Sequence, residues 1–156
     1  MNKLIIANTG TGNQGKSSSI KEVYNLLVSR YPDNVQIIHP VESGDVKAIV
    51  DVNGVRIGIE SQGDPNSRMF QSLQDFLKAG CDIVVIACRT SGETYKAVKD
   101  MHQYGYQVIL TANDKNRDEK SIVDYLNMHY AQHILQLIED RIANIYWYVP
   151  PQTTPH

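Results

Sequence analysis

Gly10, four intervening residues and then Gly15-Lys16-Ser17 bring three kinds of chemistry into one short stretch. Glycines at 10, 12 and 15 permit backbone turns that a Cβ would forbid. The amides of Gly10, Thr11, Gly12, Asn13, Gln14 and Gly15, continuing into Lys16, Ser17 and Ser18, can then converge on phosphate oxygens. They do so at the positive end of the helix that follows. Lys16 brings a full positive charge to the β- and γ-phosphates, and the Ser17 hydroxyl can ligate Mg²⁺.

The context supports the pattern. Leu4 to Ser18 reads L-I-I-A-N-T-G-T-G-N-Q-G-K-S-S, an apolar strand-like run, the glycine loop and the opening of a helical run. On these residues the chain resembles the P-loop (Walker A) NTPase superfamily. The resemblance implies a nucleoside triphosphate, with Mg²⁺ as cofactor, bound on a P-loop NTPase fold. In layout the chain is nearer to the small switch and partitioning-type ATPases than to nucleotide kinases. Where partitioning-type ATPases have a second lysine early in the loop, this chain has Thr11.

A cation on phosphates usually also needs a carboxylate, directly or through water. Two acids sit where an apolar strand meets a loop. Glu60 ends V-R-I-G-I-E, and Asp64 lies just beyond it in S-Q-G-D-P-N. Ser17, Glu60 and Asp64 are therefore the candidate metal residues. Between the acids, Gln62 can orient an attacking water and Gly63 can offer its N–H to a γ-phosphate. The segment resembles the switch-II region of regulatory NTPases, with Glu in place of the commoner Asp. Arg89, directly after a buried strand, and Arg68 are candidates to neutralise charge on a transferring phosphoryl group. Arg117, in a charged connection, is a candidate lid residue. The catalytic set expected from the sequence is Lys16, Glu60, Gln62, Asp64 and Arg89.

Asn113 and Asp114 follow a late strand in T-A-N-D-K-N and are placed to meet a base. That string lacks the N-K-x-D of guanine-specific P-loop proteins, which points to ATP over GTP. His129 and His133 stand four residues apart on a helix, but no carboxylate joins them as in H-E-x-x-H; a solvated helix face is the simpler reading. Tyr146, Trp147 and Tyr148 fit a covered core or partner surface better than a base stack.

The elements that must position these residues follow from the pattern. Ile20, Val23, Leu26 and Leu27 recur at helical spacing over 16–30. A short strand follows at 35–39. Two alternating runs around Asn53-Gly54 predict a hairpin over 46–60, since a type I′ turn needs positive φ at both positions. Val55, Ile57 and Ile59 then face one side, and Arg56, Gly58 and Glu60 the other. A helix is expected over 67–79, a buried parallel strand over 82–88 (D-I-V-V-I-A-C), a helix over 93–104, a strand over 106–110, a long amphipathic helix over 121–142 and an edge strand over 145–149. This alternation predicts an α/β fold: a three-layer α/β/α sandwich with a mostly parallel sheet and one antiparallel hairpin. Ligands of such sheets sit at the carboxyl ends of the strands. That rule gathers the loops at 9–17, 60–66, 89–92 and 111–115 into one candidate site.

The chain is 156 residues long, which suits a single domain over 1–149 with a flexible tail at 150–156. The net charge of −2, with signs interspersed, gives no strong nucleic-acid or membrane signal. No apolar run is long enough to span a bilayer, and with the first strand beginning at once no signal peptide is expected. Cys81 and Cys88 read as small buried hydrophobes on opposite faces of one strand. A cytoplasmic location is expected. Three functions fit. The first is an ATPase acting as a molecular switch. The second is a small-molecule or nucleotide kinase. The third is a nucleotide-binding sensor without significant turnover. Each is compatible with a homodimer or a protein partner.

Overall fold

The computed structural model describes residues 3–9, 16–39, 44–113 and 120–143. The expected edge strand at 145–149 and the tail at 150–156 lie outside these residues. The described elements are β1 (Lys3–Thr9), α1 (Lys16–Arg30), β2 (Val35–His39), β3 (Lys47–Val52), β4 (Val55–Glu60), α2 (Met69–Lys78), β5 (Ile83–Cys88), α3 (Gly92–Asp100), β6 (Tyr106–Thr111) and α4 (Lys120–Ile142). Short 3₁₀ turns precede β2 and follow α3. The fold is α/β.

The strands form one sheet in the order β2-β3-β4-β5-β1-β6. β1 pairs in parallel with β5 and β6, and β4 with β5, whereas β3 runs against both β2 and β4. β3 is thus the one reversed strand. The single antiparallel hairpin expected from the sequence is half of a three-strand meander, and β2 is not a neighbour of β1. The β3–β4 turn is the one its sequence demands: Asn53 and Gly54 have φ of 51° and 82°.

Pleat alternation splits the interior in two. Leu4 and Ile6 of β1, Ile57 and Ile59 of β4 and Val85 of β5 pack against α1 (Ile20, Val23, Leu27) and α4 (Ile134, Ile138). Ile5, Val84 and Ile86 pack on the other face against α2 (Met69, Leu73, Phe76) and Val98 of α3. Helices therefore cover both faces of the sheet. Gly58 faces α2, where a Cβ would stand 2.6 Å from the Phe76 ring, so glycine lets that ring approach β4 this closely. The two cysteines share the α2–α3 interior rather than opposite faces, because Cys81 precedes β5 and is not bound by its alternation. Burial pushes the Cys81 thiol up to about 12.

Candidate functional site

β1, β4, β5 and β6 run the same way, so their carboxyl ends at Thr9, Glu60, Cys88 and Thr111 share one edge, and α1 starts beside it. A groove of about 580 Å³ opens there. Ser17 and Asp45 line one side, residues 61–67 form a wall, and Arg89 reaches in from the end of β5. The segment 10–15 and Asp114 lie outside the described residues, as does Arg117. Lys16 opens α1 as expected.

The centre of the groove is a carboxylate that the sequence reading passed over. Ser17 Oγ donates to Asp45 Oδ1 at 2.8 Å. Ser61 Oγ donates to the same oxygen at 2.8 Å, and Gln62 Nε2 reaches Asp45 Oδ2 at 3.4 Å. Burial pushes the Asp45 carboxyl up, but the bonds from Ser17, Ser61 and Gln62 and the charge of Lys21 outweigh it. The net effect holds the carboxyl below its ordinary value of 3.8. A signal for Asp45 was present in the chain. It stands just before β3, and a reversed strand begins at the edge where its parallel neighbours end. The register confirms this placement, since Lys47 pairs with Glu60.

Glu60 reaches the expected edge but turns the other way. Alternation along β4 sends Ile57 and Ile59 toward α1 and Glu60 toward α2. Its side chain is fully buried. The carboxylate accepts from Arg68 Nε at 2.7 Å and Nη2 at 3.1 Å, from Ser72 Oγ at 2.5 Å and from the Gln62 amide at 3.1 Å. Arg68 is thereby committed to Glu60. Ser61, one residue further on, points back to Asp45.

The loops at 60–66 and 89–92 meet at this edge, and they bring together two side chains that the sequence reading assigns separate roles. Asp64 Oδ1 lies 3.4 Å from Arg89 Nη2, both side chains being substantially exposed at the groove. Gly63 presses on the end of β5, where a Cβ would stand 2.4 Å from the Ala87 carbonyl carbon. Its glycine identity is therefore already demanded by backbone contact. Ser18 is exposed and lines a different groove of about 550 Å³ between α1 and α4, with Lys21 and Asp124.

Asn113 is drawn into a polar cluster behind the site. It accepts from Asn8 Nδ2 at 2.6 Å, and its own amide donates to Asn127 Oδ1 at 2.8 Å and to Ser19 Oγ. Ser19 donates in turn to Asn127 at 3.0 Å. These contacts tie β1, α1, α4 and the end of β6 together and give Asn113 an internal role where base contact was expected. His129 and His133 lie on the exposed face of α4, and Tyr125 stacks on His129 at 6.0 Å between ring centroids.

No family model, curated protein or solved structure matches the chain. No described helix is long and apolar enough to cross a membrane. Among the described residues no group of three or more His, Cys, Asp or Glu could hold a metal by itself. Among the described residues, Ser17, Asp45 and Asp64 put side-chain oxygens on this groove. Oxygen donors of this kind suit hard cations.

Proposed function

We propose that the chain is a P-loop NTPase that binds a nucleoside triphosphate, ATP in preference to GTP, and hydrolyses it with Mg²⁺. The observation that carries this reading is the Ser17–Asp45 bond. It puts the serine of G-x-x-x-x-G-K-S and a half-buried carboxylate side by side in the groove beyond β1. A Gly-rich turn with no ligand has no need of an acid held charged against its serine.

In this reading the amides of 10–15 and the Lys16 ammonium grip the polyphosphate. Bound Mg²⁺ would be held through Ser17 and Asp45 and would supply charge neutralisation on the β- and γ-oxygens. Gln62 and Asp64 position a water on the far side of the γ-phosphorus. As the water oxygen bonds to phosphorus, the bond to the β–γ bridging oxygen breaks. The nucleoside diphosphate leaves with the bridging oxygen, and the proton lost by the attacking water ends on the released phosphate. Arg89 shifts from Asp64 to the γ-oxygens as negative charge spreads over them.

Transfer to a small-molecule acceptor is a second reading, and groove size favours it. A water molecule claims about 30 Å³ of liquid volume, and the empty groove measures about 580 Å³. One experiment separates the readings. Phosphate and ADP release from Mg-ATP are measured with and without candidate acceptors, beside Lys16→Ala. Phosphate release lost in the variant supports hydrolysis, ADP formed only with an acceptor supports a kinase, and binding without turnover supports a sensor. No binding of ATP or GTP at millimolar concentration would remove all three.

A further inference from the structure

We infer that residues 61–68 form a preset wall of the groove, locked by Glu60 before any ligand arrives, and that Glu60 is a positioning residue rather than a metal ligand. The inference deepens the proposed site and rests on that reading for its link to phosphate chemistry. The lock itself stands on contacts within the chain.

The segment leaves the sheet at Glu60 and enters α2 at Met69. One carboxylate ties both ends. Glu60 accepts from the Gln62 amide at the start of the loop, from the Arg68 guanidinium at its finish and from Ser72 in the first turns of α2. Gln62 repeats the closure one layer out, since its side-chain oxygen accepts from the Arg68 amide at 3.1 Å. Near the middle, Ser67 Oγ donates to the Asp64 carbonyl at 2.6 Å. Gly63 is seated on the backbone of β5 with no room for a Cβ. The segment is therefore closed at its mouth, braced across its middle and pressed onto the sheet.

The lock is connected to the chemistry. Gln62, fixed by Glu60 and Arg68 on one side, meets Asp45 on the other. Asp45 in turn holds Ser17. Glu60 thus reaches the serine through two intermediates without touching the ligand. Direct ligation by Glu60 would require a fully buried carboxylate to give up Arg68 and turn to the opposite face of the sheet. Breaking one partner from a buried ion pair is strongly unfavourable. A wall built this way narrows the choice of acceptor or water position by rigidity, and it does not need the nucleotide to order it.

The test is hydrogen exchange in the ligand-free protein, followed by amide-resolved NMR. The amides of Gln62 and Arg68 are expected to exchange at least 10-fold more slowly than exposed loop amides. Mg-ATP should change that protection less than about 3-fold. Glu60→Gln keeps the shape but sets an NH₂ among donors. It should abolish the protection at Gln62 and Arg68 while leaving the amide of Val85 in β5 unchanged, which shows that the fold survives. In turnover assays the same variant should lower kcat about 10-fold with KM within 2-fold, a split that general loosening would not produce. Unprotected Gln62 and Arg68 amides in the free protein, or protection that Mg-ATP raises 10-fold or more, would overturn the lock and restore a ligand-ordered switch. Wild-type protein that shows the protected amides but binds no nucleotide would instead remove the nucleotide reading and leave the lock standing.

Discussion

The Ser17 hydroxyl and the Asp45 carboxylate meet at 2.8 Å across 28 positions of sequence, joining the first turn of α1 to a residue two places before the reversed strand β3. The bond brings an acid from outside the glycine motif into the groove. It also predicts how cation-dependent binding should respond to mutation. Asp45→Asn keeps the shape of the side chain and removes its charge. Affinity for Mg-ATP should fall about 10- to 100-fold, the range seen when a residue supporting a metal ligand is changed. Affinity for ATP in excess chelator should hardly move. Isothermal titration of both proteins in both conditions checks this; equal losses with and without Mg²⁺ would remove the cation role.

The same carboxyl makes stability depend on acid. Its folded-state value lies below the ordinary 3.8, so it contributes stability above the unfolded value, and that contribution is lost as pH falls through the folded one. Asp75, held down by the hydrogen bond from Lys47, acts in the same direction. The stability gap between wild type and Asp45→Asn should be constant near neutral pH and close progressively below about pH 4. Urea unfolding across that range measures it. A gap that widens on acidification would reverse the sign assigned to the Asp45 contacts.

Gly63→Ala should disturb the groove as well as the fold. The added carbon would meet the backbone of Ala87, which has no flexible end to swing aside. Overpacking of this kind costs about 1–3 kcal/mol, or roughly 2–4 °C in Tm per kcal/mol for a chain of this size. Gly54→Ala is the control: it meets open space and bears only the strain of a φ of +82°, about 1–2 kcal/mol. Both variants should melt earlier in calorimetry, but only Gly63→Ala should weaken nucleotide binding.

Asn113→Ala separates an internal role from base recognition. The change strips a partner from Asn8, Ser19 and Asn127 at once. Leaving buried polar groups without that partner costs about 1–3 kcal/mol. Stability should fall by this order while the ratio of ATP to GTP affinity stays put. A changed ratio would return Asn113 to the base.

The sequence resolved much of the scaffold because its signals were local. The helix at Lys16–Arg30 starts and stops where spacing and Tyr31-Pro32 place it, and Asn53-Gly54 turns as its residue types require. Alternation along β4 placed Gly58 and Glu60 on one face correctly. Partner choice was harder to read. β5 stands between β1 and β4, and no local pattern reveals which strands become neighbours. The candidate site was legible as a set of loops, but the pairing of Asp64 with Arg89 across two of them was not. Asp45 was missed because the edge rule was applied only to strands that end there. Glu60 was placed at the right edge, but its partners Arg68 and Ser72 sit on the opposite side of the sheet from α1.

The sheet also works as a bulkhead between two separately filled compartments, with Leu27 in one and Phe76 in the other. Side chains with no shared partners contribute independently to stability. Leu27→Ala and Phe76→Ala should therefore give a double variant whose loss equals the sum of the single losses within about 0.5 kcal/mol. Damage beneath α1 would leave the packing that seats the Glu60 brace intact, so the two halves of the molecule can drift in sequence without waiting for each other.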